Sequence, residues 1–412
     1  MSELDAQFFR HEYGRLVAML SRRVGVRHVE LVEDAVQNAL ATAVETWRQS
    51  SRPENPSAWL FRVALNQLLS ELRGRARRER LVERHESLAE ESFADTPDAF
   101  LAADVRDDLL RMLFACCDDA IALESQLVLA LKVLCGFDVR EISERLFANE
   151  AAVYKRLTRG RNRLREVEVE HAELTPAQLA SRLPAVQSVL YVLFTEGYLS
   201  SHAEGAIRLE LCEEAIRLAQ ELAQHPIGAT TETFALLALM HLHRARMPSR
   251  QDGSGGLVLL EEQDRSLWSQ SEIHDGLTWL ARSAAGGTFS RYHAEAGIAA
   301  EHCLAPSFAA TRWDRIVECY ELLDKVAPSA LHTLNRAVAL AEWRGPHAGL
   351  ALLDGLAPPS WLSGSYLWSA VLADLHRRAN NQELAKQYRI VALGTAPSAA
   401  VRAALDRRLQ QE

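Results

Sequence analysis

The chain has 412 residues, a length that suggests two to four domains. Hydrophobic residues make up 48% and charged residues 25%, an ordinary soluble globular balance, and no apolar run approaches the roughly 20 residues of a membrane span. The net charge of -9 excludes a uniform nucleic-acid coat but not local basic elements, because charge is screened over only about 8 Å at physiological salt.

The first residues, "MSELDAQFFRHEYGRL", are polar and charged and do not form a signal peptide. Six cysteines in a chain this long make no disulfide framework; Cys116 and Cys117 are adjacent and no pair forms CxxC. A reduced, cytoplasmic protein is expected. Strand-like alternation is scarce, and apolar residues recur at spacings of three and four, which predicts an all-α fold.

Residues 1–80 read as a first helical unit. "VEDAVQNALATAVETW" is an amphipathic helix with Val32, Val36, Ala39, Ala43 and Trp47 as its buried stripe, followed by a polar loop. "NPSAWLFRVALNQLLSELRGRARRER", Asn55 to Arg80, is a second helix. Trp59, Val63, Leu65, Leu68, Leu69 and Leu72 supply its core, while Arg62, Asn66, Gln67, Arg73, Arg75, Arg77 and Arg78 point elsewhere. Aromatic residues beside Arg and Asn suit single-stranded nucleic acid, where bases stack or are gripped by their edges. Residues 81–105 are acidic and read as a linker.

Residues 106–168 read as a second small helical unit. In "DVREISERLFANEAAVYKRLTRGRNRLRE", Val139, Ile142 and Leu146 share one face, and Val153, Leu157, Gly160 and Leu164 share another. Two short helices joined near "FAN" match the needs of a helix-turn-helix, with Asn149 or a neighbour capping the second. That helix carries Lys155, Arg156, Arg159, Arg161, Arg163 and Arg165, suited to phosphates and to guanine edges in a major groove. Taken alone, such a charge run also fits a solvated helix face. A second basic helix on the far side of an acidic linker tips the balance toward DNA.

Residues 175–412 read as a long helical array. Segments such as "LCEEAIRLAQELA" and "WDRIVECYELLDKVAPSALHTLNRAVALAEWRG" are helix-sized and separated by Pro and Gly turns, with Ala at close-packing positions. A tetratricopeptide-like arrangement is expected, against an irregular helical domain.

Taken together, these motifs resemble a sigma-70 family RNA polymerase sigma factor of the extracytoplasmic-function type. "VEDAVQNALATAVETW" resembles region 2.2, "NPSAWLFRVALNQLLSELRGRAR" resembles regions 2.3 and 2.4, and "LVLALKVLCGFDVREISERLFANEAAVYKRLTRGRNRLRE" resembles region 4. "LYVLFTEGYLSS", "LLALMHLHRAR" and "LNRAVALAEWRGPHAGLALLD" resemble the long tetratricopeptide-like extension of one subgroup. The resemblance implies that core RNA polymerase and promoter DNA are the partners. It places Glu33, Asp34 and Gln37 at the polymerase clamp and Arg52 to Asn55 at a flipped -10 base. Asn66 takes the place of the motif asparagine of region 2.4, with Ser70 where the family usually has Asp. Arg62, Arg73 and Arg77 would touch -10 DNA, and Tyr154, Lys155, Arg156, Arg159 and Arg163 the -35 element. The acidic linker would pass near the polymerase active-site channel, and control would lie in the extension, through a regulatory protein or peptide. No cofactor, metal or catalysis is implied.

Other sites read as structural. Glu196 in "LFTEGY" has no second carboxylate bound to it by motif, as general acid/base chemistry would need. "EEQDRSLW", Glu261 to Trp268, is expected to hold a structural or interdomain ion network. His241 and His243 fall on different helix faces and do not make a metal pair. Asp252 to Gly256, "DGSGG", is a turn without the lysine of a phosphate loop. Two other classes compete: a polymerase-independent helix-turn-helix regulator with a helical-repeat sensor domain, which would bind its operator alone, and a helical-repeat adaptor, which would show no salt-dependent DNA affinity.

Overall fold

The computed structural model describes residues 3–49, 52–82, 102–146, 148–166, 175–198, 209–251, 258–396 and 399–410. Among them there is no β-strand, and the all-α expectation holds. Most of the expected linker at 81–105 and all of the Asp252–Gly256 turn lie outside the described residues. The chain divides into two compact units, residues 1–189 and 190–412.

The first unit holds α1 (Glu3–Val24), α2 (Val29–Gln49), α3 (Pro56–Val82), α4 (Ala102–Cys116), α5 (Leu123–Val133), α6 (Val139–Leu146), α7 (Glu150–Glu166) and most of α8 (Pro176–Tyr198). The segments at 1–80 and 106–168, expected as two separate helical units, are packed here as one: α1 lies against both α2 and α4. Gly14 makes that approach possible. A Cβ at this position would stand 2.0 Å from the Leu134 carbonyl oxygen, so only a glycine lets α1 meet the end of α5. Val32, Val36, Ala39 and Ala43 are buried as the periodicity of α2 requires, and Trp47 is half-buried against Phe9 and Trp59.

The second unit runs through α9 (Leu209–Gln224), α10 (Thr231–Ala245), α11 (Gln270–Ser283), α12 (Arg291–Leu304), α13 (Trp313–Val326), α14 (Ala330–Arg344), α15 (Pro346–Leu353), α16 (Ser360–Ser363), α17 (Tyr366–Arg378), α18 (Gln382–Gly394) and α19 (Ala399–Gln410). From α9 to α15, each helix packs on the next, as in a helical array. Side-chain caps start several of them: Thr230 accepts from the Thr233 N–H, Ser269 from Glu272, Ser365 from Leu367 and Asn381 from Leu384. Gly345, at φ 89°, both ends α14 and starts α15, so two helices join with no loop between them. Small residues Ala337, Ala341 and Gly349 then let these two helices close on each other.

Candidate nucleic-acid interface

Two basic helices of the first unit carry the residues expected to meet nucleic acid. Asn55 caps helix α3: its Oδ1 accepts the Ala58 N–H at 3.0 Å. The cap leaves Asn55 exposed but engages its side-chain oxygen. Beyond it, Leu60, Phe61, Ala64, Leu65 and Leu68 are buried, while Trp59, Val63, Leu69 and Leu72 are half-buried at the margins. The opposite face exposes Arg62, Asn66, Ser70, Arg73 and Arg77. Steps of three and four residues keep these side chains on one stripe of a 3.6-residue helix. Arg73 Nε donates to the Leu69 carbonyl at 3.1 Å, which leaves the outer guanidinium nitrogens turned to solvent. No carboxylate among the described residues pairs with Arg62, Arg73 or Arg77. Arg52, by contrast, is held: its guanidinium lies 4.2 Å from the Phe8 ring centre and 5.3 Å from that of Trp47. It packs over rings of α1 and α2 at the turn into α3 while staying exposed.

Helices α6 and α7 are joined by residues 147–149, as the sequence suggested. At the start of α6 the Glu141 N–H donates to Asp138 Oδ1 at 2.7 Å and the Asp138 N–H donates to Glu141 Oε2 at 2.8 Å. Asn149 Oδ1 caps α7 by accepting the Ala152 N–H at 2.8 Å. Val153, Leu157, Gly160 and Leu164 are all buried, and Gly160 sits on Leu129 of α5, where an added Cβ would lie at 3.2 Å. The face opposite exposes Tyr154, Lys155, Thr158, Arg159 and Asn162, with Tyr154 56% exposed.

The flanks of α7 differ from this open face. Arg156 pairs with Glu124. Arg163 donates to Asp118 Oδ1 at 3.1 Å, and Arg182 of α8 donates to Asp118 Oδ2 at 2.5 Å. Burial pushes the Asp118 carboxyl up, but the Ala120 N–H and the two guanidiniums outweigh it and hold it below its ordinary value. On the other flank Arg161 bonds Glu33 and approaches Glu30 at 3.4 Å, and Arg165 bonds Glu30.

This corrects the expectation for Glu33. Rather than facing outward on α2, it is 2% exposed and enclosed by Arg161, the Tyr13 hydroxyl at 3.1 Å, and the buried Lys132. Burial raises its carboxyl above the usual range despite those partners. Asp34 and Gln37 are exposed on the same helix as expected. Glu30, Glu124 and Asp118, the acids that take up the flank arginines, carried no motif in the sequence. Their role follows only from the packing of distant segments.

In the second unit, "EEQDRSLW" forms a structural network. Arg265 donates to the carbonyls of His302 and Ala305 and lies over Trp268, whose Nε1 donates to Ser249 Oγ at 2.7 Å. His241 meets Glu272 at 2.7 Å, while His243 is packed on the Tyr198 ring, so the two histidines do diverge. Burial, with Arg246 and Arg250 nearby, holds His243 neutral. Glu196 lies half-buried within α8. No group of three His, Cys, Asp or Glu side chains among the described residues could hold a metal, and all six cysteines are free. Among the described residues, no helix is long and apolar enough to cross a membrane.

Comparison with known proteins adds an independent finding. Residues 8–78 match the family model Sigma-70 region 2, and residues 182–284 match a family of unknown function. The chain is 34% identical over 351 residues to "Uncharacterized protein R00370" of Rhizobium meliloti (strain 1021), covering 85% of this chain and 82% of that one. No solved structure matches. The Sigma-70 region 2 match contains α2 and most of α3, including the whole exposed stripe from Arg62 to Arg77.

Proposed function

The chain belongs to one family with the Rhizobium meliloti relative, and we propose, from the match of residues 8–78 to Sigma-70 region 2, that it is a sigma-70 family factor. It acts in transcription as a factor that binds core RNA polymerase and directs it to promoters. The observation that carries this is the pair of exposed basic faces on α3 and α7, the first of them inside the Sigma-70 region 2 match.

The two faces suit different DNA. Helix α3 presents Arg62, Asn66, Arg73 and Arg77 in line, beside half-buried Trp47 and Trp59. Cations that follow a backbone, with an amide to grip a base edge, fit a separated strand at the -10 element. Helix α7 is a short, capped helix with Tyr154, Lys155 and Arg159 on its outer face. It is shaped for a major groove at -35, where phosphate contacts fix position and base-edge contacts supply sequence preference. Arg156 and Arg163, paired with Glu124 and Asp118, border that face and can exchange carboxylate for phosphate at the DNA surface. Asp34 and Gln37, exposed on α2, are the polymerase contacts of this reading. The resemblance of the motifs to regions 2 and 4 supports a reading as the extracytoplasmic-function type.

The array of the second unit serves as a control domain. A concave helical array binds peptides or a partner surface. The test is transcription in vitro with purified core polymerase on a promoter library that includes the chain's own upstream region. Full chain and a truncation after Val189, the end of the first unit, are run side by side. Core-dependent, promoter-specific initiation by the full chain is expected, and a changed rate in the truncation marks the array as a regulator. Tight operator binding without core, and no initiation, would instead favour a polymerase-independent regulator.

A further inference from the structure

The second unit holds a cavity of about 350 Å³, built from residues far in sequence from both basic helices. Sites for small molecules span about 300–1,000 Å³, so this one suits a small ligand rather than a run of peptide. Its walls come mainly from α13, α14, α17 and α19, with Phe308 and residues 259–261 completing them. Four rings line it, those of Phe308, Trp313, Tyr320 and Tyr366, all half-buried. Phe308 stands edge-on to Trp313, with 5.1 Å between ring centres. From α19 come Leu405 and Leu409. Rings that line a cavity offer stacking and edge contacts to a flat ligand.

The charged groups of the wall are already matched. Arg408 of α19 donates to Glu261 Oε1 at 2.6 Å and lies 3.5 Å from Asp374 Oδ2. Asp374 also accepts from Arg377 at 2.9 Å, and Glu342 from Arg378 at 2.5 Å. Three carboxylates thus meet three guanidiniums. A charged ligand would have to break one of these pairs or stay uncompensated against an apolar wall. The polar groups left over are neutral. The hydroxyls of Tyr320 and Tyr366 and the Asn335 side chain have no hydrogen-bond partner among the described residues. Burial raises both phenols, so they stay protonated and can donate. His302, also in the wall, is uncharged: burial, with Arg246 and Arg265 nearby, pushes its imidazole down to about 3.

We infer that this cavity binds an uncharged, flat aromatic small molecule that carries a hydroxyl or carbonyl group. The rings take its faces and edges. Tyr320 and Tyr366 donate to its oxygen, and the Asn335 amide accepts from a hydroxyl or donates to a carbonyl. Nucleotides and free amino acids fit poorly, because they bring charge to a wall whose own charges are paired. Such a ligand touches α13, α14, α17 and α19 together and so ties the last helix to the array. Binding stands on the cavity alone. That the ligand is a signal for transcription rests on the proposed function.

The test is isothermal titration calorimetry of the full chain with three naphthalenes of similar shape: 2-naphthol, 2-naphthoate and 2-naphthylmethylammonium. 2-Naphthol should bind once per chain, at least about tenfold more tightly than either ion, because each ion must bury an unmatched charge. Tyr320→Phe combined with Tyr366→Phe removes two hydroxyls that bond nothing among the described residues, so the fold should stand. The affinity for 2-naphthol should fall about two- to tenfold, as for one lost hydrogen bond. Ala370→Trp fills the cavity from α17 and should abolish binding. No saturable binding of 2-naphthol, an ion that binds as tightly, or full affinity in either variant would overturn the site. N-acetyltyrosinamide, the ring of a peptide side chain, should bind more weakly than 2-naphthol; tighter binding would give the cavity to a peptide instead. In transcription with core polymerase, 2-naphthol should change the initiation rate of the full chain and not that of Ala370→Trp. Binding without that change refutes the signal while the site stands. Binding by a chain that starts no transcription with core refutes the sigma-factor reading alone.

Discussion

Helices α3 and α7 carry similar runs of arginine, yet those arginines are in different situations. On α3, Arg62, Arg73 and Arg77 line an exposed stripe and meet no carboxylate among the described residues. On α7, Arg156, Arg161, Arg163 and Arg165 are paired with Glu124, Glu33, Asp118 and Glu30, and only Lys155 and Arg159 sit on the open face. Charge counted in a sequence is therefore not charge available to a ligand. Availability depends on which acids the fold brings alongside, and all four of these acids come from outside the α6–α7 hairpin, on α2, just after α4 and on α5. On the proposed function the difference has a consequence: α3 would meet DNA as it stands, whereas α7 would have to give up part of its pairing to bind with its full charge.

The sharpest way to break that comparison is where α1 meets the end of α5. Gly14→Ala drives a methyl into the Leu134 carbonyl, a backbone group that cannot move aside. A loss of about 3 kcal/mol in the stability of the first unit is expected, at the upper end for overpacking, read from the urea midpoint. If stability is unchanged, α1 and α5 do not meet as closely as described, and the pairing of α7 loses its support.

Asp118→Asn comes next. It removes the acid that holds both Arg163 and Arg182, one of them partly exposed, and should cost about 2 kcal/mol, less than a fully buried pair. The pH dependence has a definite sign. The Asp118 carboxyl is held below its ordinary value, so its contribution is fully present above the unfolded carboxylate value. It is lost as pH falls through the lower folded value. Urea titrations of wild type and Asp118→Asn should therefore differ at pH 7 and converge under strong acid. The same variant frees Arg163, and its DNA affinity should show a steeper salt dependence than the wild type.

Salt dependence also distinguishes the two kinds of arginine. Arg159→Ala on α7 should lower the slope of log K against log salt by about 0.9, and Arg62→Ala on α3, against a separated strand, by about 0.7, one phosphate contact apiece. Arg156→Ala should lower it by less, because Glu124 already occupies that side chain. Equal slopes for Arg156 and Arg159 would erase the distinction between paired and open cations. The smallest effect is expected at Gly74 in α3, where a Cβ would meet nothing within 4 Å. Gly74→Ala should stabilise that helix by about 0.5–1 kcal/mol, visible as a small rise in melting temperature.

Much of this was legible in the sequence, because it is local. The 3.6-residue rhythm of α7 marked Val153, Leu157, Gly160 and Leu164, all of them buried. Asn149 stood where a cap was needed. On α3, Arg62, Asn66, Arg73 and Arg77 fell opposite the core as expected. What was not legible depends on contacts between distant segments. Glu33 reads as a surface acid within α2, and only Arg161, 128 residues away, together with Lys132 and Tyr13, explains its burial. Arg52 reads as a loop cation, yet Phe8 and Trp47 meet it from two other helices, α1 and α2. Gly14 carries no turn signal, since its reason is the Leu134 carbonyl of a different element. The two segments also read as separate units because an acidic stretch parts them in sequence, whereas the seam between them is built from single glycines and ion pairs that periodicity does not reveal.

The most direct measurement is photocrosslinking of the holoenzyme on a promoter, with a benzophenone amino acid at Asn66 on α3 or at Arg159 on α7. Two crosslink sites about 25 base pairs apart, each requiring core polymerase, are the predicted result. Crosslinks from both positions to one site, or crosslinks formed equally well without core, would contradict the assignment of these helices to two elements of a promoter.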